Sequence, residues 1–115
     1  MARGIPPIFS YRSTHNAIRY IGDVIQSFRD PATEDLFIKR KSRRWALIAK
    51  VAIRKLDLLE AAKYLNDLRV PPANRLERLM HDRAGQHSIR INDQYRICFV
   101  WKEDGAHEVE IVDYH

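Results

Sequence analysis

The sequence predicts a small α+β domain: an N-terminal strand and two helices packed on one side of a mainly antiparallel sheet. Three observations carry this. Trp45, Ala49, Ala52, Leu56 and Leu59 recur at spacings of four and three, the stripe of a core-facing helix. Tyr95, Ile97, Phe99 and Trp101 alternate with Arg96, Cys98 and Val100, a period-two strand signal. Between them Pro71-Pro72-Ala73-Asn74 breaks the chain, with helical pattern before it and strand pattern after it.

The elements follow in order. Pro6 and Pro7 disfavour regular structure, and apolar residues keep no clear period before Val24, so 1–23 is expected to be a loosely attached extension of a domain spanning 24–115. Val24 to Phe28 reads as the first strand, ended by Asp30-Pro31. Pro31 to Phe37 opens a short helix, with proline early and acids in the first turn. The main helix is expected from Arg43 to Ala62, and Lys63 to Leu68 either extends it or forms a separate turn. Strands are expected near 75–80, over His87–Ile91, over Tyr95–Trp101 and over Glu108–Asp113. The connections are Asp82–Gly85, Asn92-Asp93-Gln94 and Lys102–Gly105.

A chain of 115 residues supports one domain with one modest core, and 45% hydrophobic with 30% charged residues fits an ordinary globular protein. The net charge of +5 favours polyanionic partners, nucleic acid first. From Lys39 to Lys55 there are eight basic residues and no acidic one. That run is either a solvated helix face or a contact for RNA or an acidic protein, with Arg43, Lys50 and Arg54 as candidates. The single cysteine, Cys98, lies in an apolar run and reads as core filler in a reducing cytoplasm. No apolar run approaches the ~20 residues of a membrane span, and the start lacks a signal-peptide stretch.

Glycine-rich phosphate loops, HExxH, CxxC and nucleophile-elbow motifs are absent, and no histidine pair has metal spacing. Neither a metal nor an organic cofactor is therefore expected. What remains is a basic constellation on the C-terminal strands suited to a phosphodiester. RNA cleaves at its own 2′-hydroxyl if a protein supplies a base, positive charge for the phosphorane-like transition state, and an acid for the leaving 5′-oxygen. Arg83 and Arg96 suit the middle task, because the guanidinium fork matches phosphate oxygens and stays charged. His115, His81 or His87 could transfer protons near neutral pH. Glu77 or Asp113 could act as base or orient a histidine, and Tyr114 could stack on a base or donate a proton. Each has a plainer alternative: Arg83 paired with Asp82 or Glu77, Arg96 in a structural ion pair, and His115 as a frayed end. Arg90 is a secondary candidate for RNA contact.

Several segments together resemble a known family: Val24-Ile-Gln-Ser-Phe-Arg-Asp30; Leu68-Arg-Val-Pro-Pro-Ala-Asn-Arg-Leu-Glu77; Asp82-Arg-Ala-Gly85; Ser88 to Phe99; and Val109-Glu-Ile-Val-Asp-Tyr-His115. The chain from about Val24 to His115 is similar to the HigB group of toxins in the RelE/ParE superfamily of bacterial toxin–antitoxin systems. The resemblance implies a RelE-like fold and a metal-independent endoribonuclease that cuts mRNA on the translating ribosome. It implies a cognate helix-turn-helix antitoxin, through which the complex would bind operator DNA. Arg96 falls on the family's phosphate-stabilising strand arginine, Arg83 on the arginine of its Gly-Asp-Arg-x-Gly turn, and Asp113-Tyr114-His115 on its functional tripeptide. Glu77 lies where members carry histidine or glutamate. A ParE-like poison of DNA gyrase is one alternative, and a weak toxin serving mainly as an antitoxin-binding co-repressor is another.

The sequence departs from that pattern at Met80-His81, where the family reads Lys-Gly and the lysine helps neutralise the scissile phosphate. Methionine carries no charge, and an unperturbed histidine, with a pKa of about 6.5, is mostly neutral at pH 7. A weak or conditional toxin is expected. Met80→Lys should raise growth inhibition when the chain is induced; unchanged toxicity and unchanged mRNA cleavage would refute this.

Overall fold

The computed structural model describes the backbone of residues 11–14 and 17–20, and residues 23–114 in full. Strands β1 (Tyr11–Thr14) and β2 (Ala17–Tyr20) pair antiparallel as a two-stranded sheet of their own, regular structure that the preceding prolines did not suggest. Helices α1 (Pro31–Lys39) and α2 (Ala49–Ala61) follow. Then come β3 (Glu77–Arg78), β4 (His87–Arg90), β5 (Tyr95–Lys102) and β6 (Gly105–Asp113), an antiparallel sheet ordered β3-β4-β5-β6. Short 3₁₀ turns occupy Leu65–Arg69, Pro72–Asn74 and His81–Arg83.

Local chemistry sets the element ends. Asp30 caps α1, its carboxylate accepting the Thr33 N–H at 3.0 Å, and Arg40 in the left-handed region ends it. The main helix starts later than its apolar spacing suggests, because residues 43–48 form turns. The Ser42 hydroxyl accepts the Trp45 N–H at 3.2 Å, and the buried Trp45 ring meets Tyr95 edge-on at 5.5 Å. Trp45 therefore reaches the core from the turn before α2. The expected strand near 75–80 contracts to a two-residue pairing, with Arg75 in the left-handed region at φ 47° just before it.

Residues 24–28 run parallel to β6, bridging Ile25 with Ala106 and Phe28 with Val109, through backbone bonds from Gln26 N to Ala106 O, Ala106 N to Val24 O, Val109 N to Ser27 O and Arg29 N to Val109 O, at 2.7–3.0 Å. The start of this segment is also held by α2. The N–H groups of Asp23, Val24 and Ile25 donate to the buried Glu60 carboxylate of α2. One carboxylate so satisfies three backbone donors at the start of the segment.

Alternation along β5 divides the sheet. Ile97 and Phe99 join Ile25, Leu36, Leu56, Leu59, Ile89 and Val109 in the core between helices and sheet. Each fully buried side chain of this kind contributes about 2 kcal/mol. The opposite face carries Arg96 and Cys98, with Ser88 and Glu110 on either side of Cys98 in the strand register. A bulge between Cys98 and Val100 shifts the β5–β6 register past this point.

Two outcomes follow. Gly105 has φ +130°, and a Cβ there would lie 2.0 Å from the Val24 carbonyl oxygen. Gly105→Ala should cost about 2 kcal/mol or more in urea denaturation, because it pushes apart the first and last segments of the sheet. His87 stacks on Phe99 at 6.3 Å with a buried, unbonded Nδ1, and its pKa is lowered by burial, then by Arg78 and Arg69. The unfolded chain takes up this proton first as pH falls below about 6.5, so stability should drop between pH 7 and 5. Melting curves of His87→Gln should lose that part of the pH dependence.

Candidate functional site

Arg96 forms the floor of the site. It is 7% exposed, and a guanidinium so buried must have its donors met. Its Nε donates to Ser88 Oγ at 2.7 Å and its Nη2 to the Arg75 carbonyl at 2.5 Å. That carbonyl is held by the loop before β3. Asn74 is fully buried, accepts from Lys55 Nζ at 2.6 Å, and donates to the Leu68 and Val70 carbonyls at 3.1 and 3.3 Å. Lys55 belongs to the basic run but faces inward from α2; burial lowers its pKa, helped by Arg54 and Arg90. Sequence reading missed Lys55 and Asn74, since a buried lysine on a basic helix has no local signature.

Two sequence-selected residues flank Arg96. Glu77 Oε1 lies 3.8 Å from its Nη2, and the Tyr114 ring lies 5.6 Å from its guanidinium carbon, within cation–π range. Arg83, on the 3₁₀ turn, shares with Val112, Asp113 and Tyr114 an open depression of about 370 Å³. Arg83 pairs with neither Asp82 nor Glu77. Its Nη1 donates to Gln86 Oε1 and Glu110 Oε2, each at 3.0 Å, and the Glu110 bond raises its pKa. Arg29 Nε stands 3.9 Å from the same Glu110 oxygen. Glu110 was not selected from sequence; alternation puts it on the face of Arg96, but only the fold brings it to Arg83.

The β4–β5 connection holds the end of β6. Gln94 accepts the Tyr114 N–H at 2.7 Å through its carbonyl and donates to Asp113 Oδ2 at 3.0 Å through its amide. His115 lies outside the described residues. Cys98 is fully buried under this face, its thiol pushed up to about 11 by burial, as befits packing and not nucleophilic chemistry.

The remaining candidates sit elsewhere. Arg90 forms an ion pair with Asp93. Arg43 lines a depression of about 620 Å³ with Lys39, Lys41 and Arg44 on the α1–α2 connection. Lys50 and Arg54 are exposed on α2, and His81 is exposed with φ 55° beside the exposed Met80. Among the described residues no group of three or more His, Cys, Asp or Glu could hold a metal ion, and no helix is long and apolar enough to cross a membrane.

Residues 26–115 match a protein-family model described as the RelE-like toxin of the type II toxin–antitoxin system HigB. Toxin HigB-1 of Vibrio cholerae serotype O1 is 41% identical over 81 residues, 69% of this chain and 85% of that protein. An uncharacterized protein of Haemophilus influenzae is 46% identical over 55 residues, 48% of this chain and 54% of that protein.

Proposed function

The chain belongs to the HigB-like, RelE-like toxins of type II toxin–antitoxin systems, and from that premise we propose that it is a metal-independent endoribonuclease that cuts mRNA on the translating ribosome and so inhibits translation. Membership of such a system implies a cognate antitoxin. In this reading the antitoxin carries a helix-turn-helix domain, and operator DNA is reached only through it.

The observation that carries the proposal is a buried, fixed Arg96 with Tyr114 beside it and Arg83 across the adjoining depression. A guanidinium held by Ser88 and Arg75 needs little reorganisation when charge builds on a phosphate, which is the condition for electrostatic catalysis. Arg96 and Arg83 neutralise the phosphorane-like transition state. Tyr114 stacks on or donates to the substrate, and Glu77, Asp113 and His115 divide base, acid and orienting work. Arg43, Lys50, Arg54, Arg90 and His81 contact the RNA backbone, where each cation adds a salt-dependent increment to binding. The ribosome concentrates mRNA and completes the geometry, so free RNA is a poor substrate.

Met80 favours one second reading. Exposed where the family places a cation, it supports a weak toxin that acts mainly as a co-repressor with its antitoxin. Inducing the chain, Arg96→Ala and a form lacking His115, then mapping mRNA 5′ ends by primer extension, separates the possibilities. In-frame cuts that vanish in both variants are expected. Intact mRNA with DNA damage would point to gyrase, and neither effect would leave the co-repressor.

A further inference from the structure

Arg83 rides on a short turn between β3 and β4, with His81 at φ 55° before it and Gly85 at φ 93° after it. A side chain on such a loop holds a fixed direction only if something rigid grips it. The grip comes from β6. Glu110 is opposite Cys98 in the sheet register, and its Oε2 accepts Arg83 Nη1 at 3.0 Å while Gln86, three residues further along the turn, takes the same nitrogen. Both anchors fall on Nη1, so neither uses Nε or Nη2, the remaining donors of the fork. The carboxylate thus ties a mobile class of residue to the strand that also ends in Asp113 and Tyr114.

We infer that Glu110 is a positioning residue of the ribonuclease site, setting the direction in which Arg83 presents the rest of its guanidinium to the scissile phosphate. The inference rests on the ribonuclease reading above. The pair of Arg83 and Glu110 is partly buried, its side chains 32% and 17% exposed, so losing it also costs stability, and only an effect on kcat that passes through Arg83 separates positioning from a structural role. A bare negative charge facing an RNA phosphate would also oppose binding. Here it is met by Arg83 and approached by Arg29, which leaves the local balance positive. Reach, not charge alone, is what the geometry uses: the bond spans from β6 to the turn, and a side chain one methylene shorter would fall short by roughly a bond length.

The test uses the purified full chain on ribosomes programmed with mRNA, reading kcat and KM separately, with wild type and Arg96→Ala alongside. Glu110→Ala and Glu110→Asp should lower kcat by about tenfold or more with KM little changed, as expected for a misdirected group. Glu110→Gln, which keeps length and an accepting oxygen, should restore most of the rate. In an Arg83→Ala background none of the three should cause further loss, because the effect passes through Arg83. Melting temperatures check folding, and if Glu110→Ala does not fold, the Asp and Gln pair decides alone. A wild-type rate in Glu110→Ala, rescue by Asp in place of Gln, or equal losses with and without Arg83 would overturn the assignment while leaving the ribonuclease intact. A wild-type chain that makes no Arg96-dependent cuts would overturn the ribonuclease reading, and this assignment with it.

Discussion

The buried guanidinium of Arg96 is the constraint around which the rest is arranged. An arginine nearly removed from water is tolerable only if oxygen acceptors surround it. Meeting that demand draws in β4 through Ser88 and the loop before β3 through the Arg75 carbonyl. The loop must then be rigid, which the fully buried Asn74 secures by bonding to two of its carbonyls and to Lys55 on the far helix. A residue near the start of β5 is thereby braced from α2, although the two share no stretch of sequence.

The sheet works as a partition. Its helix side is apolar and supplies the cohesion; its other side is polar yet still closely packed, with Ser88, Arg96 and Cys98 all buried. A sheet covered on only one side would show clean alternation of buried and exposed residues. β5 instead has four consecutive buried positions, Arg96 to Phe99, because the loop and turn residues close over its second face. This is how a chain of modest size shields a charged side chain from water without a deep cleft.

Much of this was legible from sequence where the signal was local. The period-two run of β5 gave the strand, its faces and the placement of Arg96 opposite the core. The proline-rich break marked the boundary between the helical and strand-rich parts. What was not legible depended on partners distant along the chain. Trp45 fits the helical spacing of Ala49 and Ala52, yet it precedes the helix, since the Ser42 hydroxyl and the Tyr95 ring hold it in a turn. Residues 24–28 have a strand-like pattern and do pair with β6, but the buried Glu60 that takes the N–H groups at their start could not be named from spacing. Lys55 looked like one more surface cation, and Glu110 like one more alternating polar residue. In each case spacing could assign a face and could not name the partner.

The contact between Ile25 and Ala106 joins segments at nearly opposite ends of the domain. Closing so long a loop costs chain entropy that the hairpin of β5 and β6 does not carry. The strand it docks on is β6, already paired with β5 and carrying Glu110 and Asp113, with Tyr114 just beyond. The bonds that hold Arg96 and Arg83 lie within residues 75–113, so the polar face is assembled by the C-terminal meander while the first segment buttresses its last strand from the other edge.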